Sequence, residues 1–278
     1  VAPEQILVGN GSDEVLRLLV HAFGGPGRTL AVVDPTYSLY PVLARQFETG
    51  LKTHPLEEGT GLPESLFEEP ADLCLLPMPN PPLGTAWPLV ELRRLAARPW
   101  LLALDGAYVD FAPEDVARPL LEEFPNVVLT RTFSKSAGLA GMRVGYAVGD
   151  ARLIAQLHKL RDSYNVNRLS QAAALAALEN WDYYRKRCAQ IVEERQRLAC
   201  ELAARGFRVP PSQGNFVFAR HARAAELYAA LKARWILVRW FDAPGLSDGL
   251  RITIGATAEV DALLGALHAL AAQGLSTR

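Results

Sequence analysis

Cysteine is scarce in this sequence, and the few cysteines present form no recognisable motif. The three of them, Cys74, Cys188 and Cys200, show neither a CxxC spacing nor an even count. Disulfide frameworks and cysteine zinc sites both need such patterns, so their absence argues against either and favours a reducing compartment. The five histidines stand apart from one another and from acidic clusters. We therefore expect no metal site.

The sequence also lacks an excess of charge of either sign and any long apolar run. Its 29 basic and 30 acidic side chains leave a formal net charge of -1, which gives no electrostatic reason to expect nucleic acid or an anionic membrane as partner. No apolar run approaches the roughly 18 residues of a membrane span, and the N-terminus shows no signal-peptide pattern. We expect a soluble, cytoplasmic protein.

Half of the residues are hydrophobic, and over the first 150 residues short apolar runs alternate with amphipathic segments. Six runs are typical of buried strands: TLAVVDP, LKTHPL, LCLLPMP, WLLALDG, NVVLTRTFS and VGYAVGD. Apolar residues recur at helical spacing in the segments between them: Asp13–Phe23, Tyr37–Gln46, Leu89–Ala97 and Val116–Glu123. This alternation predicts an α/β fold in which a mostly parallel central sheet carries helices on both faces.

Beyond residue 150 the pattern changes to longer helices and then to a second mixture of short elements. Helices are predicted over Ala151–Arg161, Ser170–Arg205, Ala222–Ala233 and Ala258–Ala272. Short strands are predicted at FRVP, NFVFAR, WILVRW and LRITIG. The polar segment Tyr164–Asn167 is typical of an interdomain connection. We predict a large domain over residues 1–165, and an interdomain helix with a smaller C-terminal α+β domain over residues 166–278.

Chemically distinctive side chains follow two successive predicted strands, where open α/β sheets bind ligands. They are Asp105, Tyr108, Ser134, Lys135 and Arg143. A pyridoxal phosphate enzyme needs an amine that forms an imine, a carboxylate that keeps the pyridine nitrogen protonated, and phosphate anchors. Lys135 can supply the amine and Asp105 the carboxylate, while the hydroxyl of Ser134 and the guanidinium of Arg143 suit a phosphate.

Each of these residues also has a simpler interpretation. Lys135 can be a surface lysine, Asp105 a turn cap and Arg143 half of a surface ion pair. The small-residue turn SAGLAG directly after Lys135 and the apolar run WLLAL before Asp105 favour the site, because an unpartnered carboxylate at the end of a buried strand is costly.

Four further residues are weaker candidates in the first half of the chain. GNGSDE ends a strand and opens a helix, so the N–H groups of Ser12 and Asp13 can bind an anion, although both residues are also favoured helix caps. Tyr37 in DPTYSLY can stack on a pyridine ring or pack in the core. Asn80 in NPPLG can present its amide to a ring hydroxyl or belong to a proline-rich turn.

The C-terminal part offers candidates for substrate binding. Arg239 and Arg251 lie in predicted apolar strands, where an unpaired guanidinium is costly and an anionic substrate group or a structural ion pair would satisfy it. Asn167 in YNVN and Asn215 in QGNFVFAR are polar residues at the margin of the same expected cleft.

Six motifs, in this order and spacing, resemble histidinol-phosphate aminotransferases over essentially the whole chain: NGSDE, DPTYSLY, PNPPLG, DGAYVDF, RTFSKSAGLAGMRVGY and GLRITIG. An SK pair followed by seven residues and Arg is similar to class I and II aminotransferases in general, whereas RTFSKSAGLAGMRVGY with DGAYVDF resembles the histidinol-phosphate branch. The resemblance implies a fold-type I transferase that depends on pyridoxal 5'-phosphate. It also implies a homodimer that exchanges an amino group between an amino donor and a 2-oxo acid in histidine biosynthesis.

The resemblance implies roles for the candidate residues. Lys135 would carry the cofactor as a Schiff base and move a proton between substrate and cofactor. Asp105 would pair with the pyridine nitrogen, Tyr108 with the ring oxygen, and Tyr37 would stack on the ring. The cofactor phosphate would be held by Ser12, Asp13, Thr132, Ser134 and Arg143. The anionic group of the substrate would be gripped by Arg251 together with Arg239.

The chain departs from its relatives at three places. Where many relatives read PNNPTG, this chain has Pro81 in place of the second asparagine, so the amide contact falls to Asn80. Where relatives have Asp-Glu-Ala-Tyr, this chain has Gly106 after Asp105 and loses one acidic neighbour. Relatives also carry some tens of residues before the point that matches Val1, so we expect an N-terminal segment to be missing.

Other functions are compatible with these residues. A decarboxylase similar to threonine-phosphate decarboxylase would use the same cofactor residues, and so would an aromatic or branched-chain aminotransferase. Outside catalysis, the chain can be a cofactor-binding sensor module or a truncated, inactive paralogue. The products formed from each substrate distinguish these activities.

Overall fold

The computed structural model describes residues 1–59 and 61–273, and within these ranges the strands form two sheets. The larger sheet has seven strands: Ile6–Gly9 (β1), Thr29–Asp34 (β2), Gly50–Pro55 (β3), Leu73–Pro77 (β4), Leu101–Asp105 (β5), Val127–Thr132 (β6) and Gly145–Gly149 (β7). Their order across the sheet is β1-β7-β6-β5-β4-β2-β3. The strands from β3 to β6 pair in parallel, and β7 pairs antiparallel with β6 and β1. The predicted mostly parallel sheet is confirmed.

Helices cover both faces of this sheet, as predicted. In the described residues before 165 they are Ser12–Phe23 (α1), Leu39–Gln46 (α2), Glu64–Glu68 (α3), Leu89–Ala96 (α4), Leu120–Glu123 (α5) and Ala151–Leu160 (α6). Alternate residues of a strand point to opposite faces. Leu30 and Val32 of β2 accordingly pack with α1 and α6 in one apolar cluster. Ala31 and Val33 pack with α3 and α4 in the other.

Among the predicted helices of this part, two differ from the prediction by more than one residue at a boundary. The helix predicted from Tyr37 begins at Leu39. The helix predicted over Val116–Glu123 is reduced to α5, because Pro119 disfavours helical backbone at the residue before it. The short helix α3, which lies between Pro63 and Pro70, was not predicted.

The predicted single helix Ser170–Arg205 is wrong. It is two helices, Arg168–Glu179 (α7) and Trp181–Ala204 (α8), which meet at Asn180. The Asn180 side chain donates to the carbonyl of Ala176 at 2.8 Å, and such local side-chain bonds compete with continued helix. Although α8 has 24 residues, no helix within 1–59 or 61–273 is both long and apolar enough to cross a bilayer.

A second, smaller sheet follows α8. Its strands are Phe216–Arg220 (β8), Arg239–Trp240 (β9) and Gly249–Thr253 (β10), in the antiparallel order β8-β10-β9. The helices Ala224–Lys232 (α9) and Thr257–Ala272 (α10) pack on it around a separate apolar cluster. The predicted α+β character of this part is confirmed, while the domain division at residue 165 stays a prediction.

Two strands predicted in this region do not form as expected. FRVP contributes only an isolated bridge between Arg208 and Arg220, because Pro210 and Pro211 have no N–H to donate. WILVRW pairs only at its end, in β9. Trp235 has a left-handed backbone with φ of 61°, which interrupts an extended strand.

Candidate active site

A cavity of about 140 Å³ opens at the carboxyl edge of the large sheet. Three parallel strands end at its wall, with Pro77, Asp105 and Thr132, and β1 leads into α1 at the same edge. Every predicted cofactor residue except Asn80 lines this cavity, namely Ser12, Asp13, Tyr37, Asp105, Tyr108, Thr132, Ser134, Lys135 and Arg143. The carboxyl ends of parallel strands therefore bring together residues that are far apart in the sequence.

The carboxyl group of Asp105 lies at the buried end of the cavity, and the residue is 4% exposed. Oδ2 accepts a hydrogen bond from the Tyr40 hydroxyl at 3.1 Å. Oδ1 accepts from the Thr130 hydroxyl at 3.1 Å and from the N–H of Ala107 at 3.2 Å. Burial raises the pKa of Asp105, and the hydrogen bonds oppose this rise. None of the three donors carries a charge, so a cation placed against Asp105 would gain a favourable charge interaction.

The first turn of α1 also lines the cavity. Gly11 is the N-cap and has a φ of 85°, a conformation that favours glycine. A Cβ at Gly145, the first residue of β7, would collide with the backbone nitrogen of Ser12. These glycines let the start of α1 approach β7 closely. The backbone N–H groups of a helix N-terminus attract an anion, and Ser12 and Asp13 lie at this end.

Hydroxyl and guanidinium groups stand beside that helix end. The N–H of Ser134 donates to Thr132 Oγ1 at 3.1 Å, and the two hydroxyl oxygens are 2.9 Å apart. Nη1 of Arg143 lies 3.4 Å from Ser134 Oγ, and its Nη2 lies 3.1 Å from a carboxylate oxygen of Asp13. The backbone of Arg143 is left-handed, with φ of 51°, which is costly for a residue other than glycine and typical of functional sites.

The amine of Lys135 projects toward the ring of Tyr108, with 5.5 Å between Nζ and the ring centroid. Burial in the cavity, and next the guanidinium of Arg251, lower the pKa of Lys135. Asp13 and Asp105 act in the opposite direction. A lowered pKa increases the fraction of neutral amine near neutral pH, and the neutral amine is the nucleophilic form.

Tyr37 and Asn80 occupy different positions relative to the cavity. Tyr37 lines it and donates its hydroxyl to Asp13 at 3.3 Å, and burial raises its pKa to about 12. Asn80 is fully buried behind the wall, where its amide nitrogen donates to the carbonyl of Pro35 at 2.9 Å. The amide contact predicted for Asn80 is therefore directed into the protein, and the next residue, Pro81, lines the cavity in its place.

Arg251 approaches the cavity from the small sheet. It is half-buried on β10, and its guanidinium carbon lies 5.6 Å from the ring centroid of Phe216. The Phe216 ring in turn packs edge-on against Tyr108, with 5.0 Å between centroids. Nε of Arg251 is buried and has no hydrogen-bond partner among the described residues. The structure thus places an unsatisfied guanidinium donor on the Tyr108 side of the cavity.

The other predicted substrate residues lie away from the cavity wall. Arg239 stands opposite Arg251 in the β9–β10 register, but it is exposed because β9 is the edge strand, so its predicted burial is wrong. Asn167 caps α7, where its side chain accepts from the N–H of Ser170 at 2.9 Å. Asn215 is half-buried directly before β8, and its backbone carbonyl accepts a hydrogen bond from the N–H of Ile254 at 2.8 Å.

Residues 1–267 match the family described as aminotransferase class I and II. The chain belongs to this family. The aminotransferase therefore takes an amino donor and a 2-oxo acid as its small-molecule substrates.

Curated relatives of this aminotransferase carry a more specific name. Histidinol-phosphate aminotransferase 2 of Burkholderia lata is 42% identical over 98% of this chain and 78% of its own length. Histidinol-phosphate aminotransferase of Syntrophotalea carbinolica is 43% identical over 95% of this chain and 77% of its own length.

Solved structures agree with the fold of this aminotransferase. Histidinol-phosphate aminotransferase of Sinorhizobium meliloti, solved in complex with pyridoxal-5'-phosphate, has a TM-score of 0.88 and 29% identity, and the match covers 98% of this chain and 78% of that one. L-threonine-O-3-phosphate decarboxylase of Porphyromonas gingivalis has a TM-score of 0.83 and 26% identity, covering 97% and 84% of the two chains. The predicted fold class is confirmed.

Sequence reasoning missed two residues that hold Asp105. Tyr40 is fully buried on α2, and Thr130 is fully buried on β6. Tyr40 ends the DPTYSLY motif, and its helical spacing to Leu43 and Ala44 places it on the inward face of α2. A buried tyrosine needs a partner for its hydroxyl. The helical spacing of Tyr40 could therefore have indicated a hydroxyl donor inside the protein.

Proposed function

We propose that this chain is a pyridoxal 5'-phosphate-dependent histidinol-phosphate aminotransferase, which passes the amino group of histidinol phosphate to 2-oxoglutarate in histidine biosynthesis. The observation that carries the proposal is the arrangement in one cavity of the Lys135 amine, the buried carboxylate of Asp105 and the anion-binding start of α1. The names of relatives that are 42–43% identical over nearly the whole chain support the choice of substrate.

The residues of the cavity fit the three parts of this cofactor. Asp105 is buried among neutral donors, so a protonated pyridine nitrogen is the cation that it lacks. Lys135 supplies the amine for covalent attachment. The phosphate would meet the backbone N–H groups of Ser12 and Asp13, the hydroxyls of Thr132 and Ser134, and the guanidinium of Arg143.

Asp13 contributes to the phosphate site through its backbone rather than its side chain. Its carboxylate accepts from the Tyr37 hydroxyl at 3.3 Å and pairs with Arg143 at 3.1 Å. A carboxylate would repel a phosphate directly, but in this pairing it orients the guanidinium that faces Ser134. Tyr37 is fixed by the same carboxylate, with its ring edge-on to Tyr40 at 5.7 Å, and would cover the cofactor ring.

When bound, the cofactor supplies an electron-withdrawing ring that stabilises negative charge on the substrate carbon. Lys135 holds and transfers a proton at Nζ. Burial lowers the pKa of this amine toward the working pH, which favours proton transfer. The carboxylate of Asp105 would stabilise the positive charge of the protonated pyridine nitrogen. Pro77, Pro81, Ala107 and Ala140 give the cavity apolar walls that limit the access of water.

Arg251 would bind the anionic group of the substrate, which is a phosphate in histidinol phosphate and a carboxylate in 2-oxoglutarate. We expect Arg251→Lys to raise KM for both substrates by about tenfold or more, because lysine cannot reproduce a bidentate guanidinium contact. The change in kcat should be smaller. Steady-state kinetics check this, with Arg234→Lys as control because Arg234 is exposed just after α9 and does not line the cavity. An unchanged KM in Arg251→Lys would contradict the role.

Tyr40→Phe removes one of the two hydroxyl donors to Asp105. The carboxylate is then less favoured in its charged form, so it holds a protonated ring nitrogen less strongly. We expect the Kd of pyridoxal phosphate to rise by about three- to tenfold, as for loss of one hydrogen bond of ordinary strength. Fluorescence titration measures it, and Tyr183→Phe, at a tyrosine that is 60% exposed, is the matched control. Equal affinities in the two variants would contradict the account.

A decarboxylase activity is the second candidate, because a phosphothreonine decarboxylase shares the fold and would use the same cofactor residues. The two functions differ in their products. We expect glutamate to form from histidinol phosphate and 2-oxoglutarate, and no carbon dioxide to be released from threonine phosphate. Carbon dioxide release that needs no 2-oxo acid would support the decarboxylase and contradict the proposed reaction.

We also propose that the protein works as a homodimer in the cytoplasm. The support for the dimer is the family resemblance together with an apolar groove of about 650 Å³ beside β1 and α7, where Val8, Leu175 and Leu178 are exposed. The cytoplasm is supported by the free cysteines Cys74, Cys188 and Cys200, which suit a reducing compartment. Analytical ultracentrifugation measures the assembly. A purely monomeric protein at micromolar concentration would contradict the dimer.

A further inference from the structure

Arg195 is a buried arginine in the middle of α8, with 8% of its surface exposed. Its Nη1 donates to two backbone carbonyls, that of Phe111 at 3.1 Å and that of Gly214 at 2.6 Å. In the described part of the chain no carboxylate pairs with it, and burial alone lowers its pKa. A buried guanidinium without a counter-charge is costly, whereas an apolar side chain could pack at such a position without that cost.

The two carbonyls belong to segments that adjoin different sheets. Phe111 ends the short 3-10 turn Val109–Phe111, which directly follows Tyr108. Gly214 lies two residues before Phe216, the first residue of β8. Arg195 thus joins the large-sheet segment that carries Tyr108 to the small-sheet segment that carries Phe216.

These two segments also meet inside the site. The rings of Phe216 and Tyr108 pack edge-on at 5.0 Å, and the guanidinium carbon of Arg251 lies 5.6 Å from the Phe216 centroid. In β10, Arg251 stands opposite Phe218 of β8, so the backbone of the arginine is paired directly with β8. A closed chain of contacts therefore runs from Tyr108 through Arg195 to Phe216 and back to Tyr108.

We propose that Arg195 is a positioning residue that holds the small-sheet wall, with Phe216 and Arg251, against the Tyr108 side of the lysine cavity. It acts through the carbonyls of Phe111 and Gly214 and touches neither cofactor nor substrate. Its kinetic consequence rests on the proposed function, because Arg251 is there the anchor for the anionic substrate. Loss of Arg195 therefore weakens substrate binding more than it slows the chemical step.

The test compares Arg195→Met and Arg195→Lys with Arg187→Met, a control on the same helix whose guanidinium is exposed and contacts the Gln190 side chain. The first measurement is amide hydrogen exchange of segments 109–112 and 212–216 in the cofactor-free protein. We expect about tenfold faster exchange in both segments for Arg195→Met, because two buried hydrogen bonds are lost. Arg195→Lys keeps the charge on a shorter side chain and should be intermediate.

The second measurement is steady-state kinetics of the cofactor-loaded variants. We expect KM for histidinol phosphate to rise about tenfold in Arg195→Met with kcat within about twofold of wild type, and the Lys135-dependent visible absorbance to be retained. Exchange and KM equal to those of Arg187→Met would overturn the proposal, and so would a fall in kcat with unchanged KM.

If Arg195→Met does not fold, Arg195→Lys carries the same comparison. If wild type shows no aminotransferase activity, the proposed function fails and the exchange data alone decide the role of Arg195.

Discussion

Lys135→Ala is expected to abolish transamination, with kcat/KM for histidinol phosphate lowered by at least about 10,000-fold. The substitution removes both the amine that attaches the cofactor and the group that moves the proton, and no neighbouring side chain in the described cavity wall carries a second amine. Formation of glutamate from histidinol phosphate and 2-oxoglutarate measures the loss.

A matched control separates this effect from a general loss of a positive charge. Lys159 is exposed on α6 and donates to the Gln156 side chain at 2.8 Å. We expect Lys159→Ala to keep wild-type kinetics and Lys135→Ala to keep the wild-type melting temperature within a few degrees. Residual activity above about one hundredth of wild type in Lys135→Ala would contradict the role of Lys135.

Asp105→Asn is expected to lower kcat by about 100- to 1,000-fold, the range found when one preorganised electrostatic group is removed from an active site. An amide has nearly the shape of the carboxylate but carries no charge, so it cannot keep the pyridine nitrogen protonated. Tyr40 and Thr130 can still hydrogen-bond to the amide, so the cavity keeps its form. Kinetics of the cofactor-saturated variant measure the loss. A kcat within tenfold of wild type would contradict the pairing proposed for Asp105.

Although Asp105→Asn should lower kcat, it should stabilise the cofactor-free protein near neutral pH. Burial raises the folded-state pKa of Asp105 above its unfolded value of about 3.9. The folded state therefore loses stability as the pH rises from about 4 through the raised pKa, because the unfolded chain ionises more easily. The amide in the variant does not titrate, so the melting temperature of Asp105→Asn should exceed that of wild type by more at pH 7.5 than at pH 4. The same difference at both pH values would contradict a buried carboxylate with a raised pKa.

The sequence was sufficient to predict where the cavity lies, for a physical reason. Asp105 and Thr132 each end a buried apolar run, and parallel strands present their carboxyl ends at one edge of the sheet. The closest backbone approach at the cavity was not predicted: it lies at Gly145, where an added Cβ would collide with the backbone nitrogen of Ser12, while Gly138 and Gly141 of the turn after Lys135 have open space around them.

Other parts of the site depended on packing that the sequence pattern does not contain. Asn80 has the expected residue type, but its amide turns toward Pro35. Arg239 was predicted to be buried because its neighbours are apolar, yet β9 is a two-residue edge strand. Arg195 is one of many charged residues on α8, and its burial follows only from the approach of Phe111 and Gly214 from two different segments.

The absorbance spectrum of the purified protein with pyridoxal phosphate, recorded beside that of Lys135→Ala, tests the central claim most directly. The account predicts a visible band that requires Lys135, is bleached by histidinol phosphate and returns on addition of 2-oxoglutarate. A wild-type spectrum without such a band, or a band that is the same in Lys135→Ala, would contradict the assignment of the cofactor. A Lys135-dependent band that histidinol phosphate leaves unchanged would contradict the assignment of the substrate.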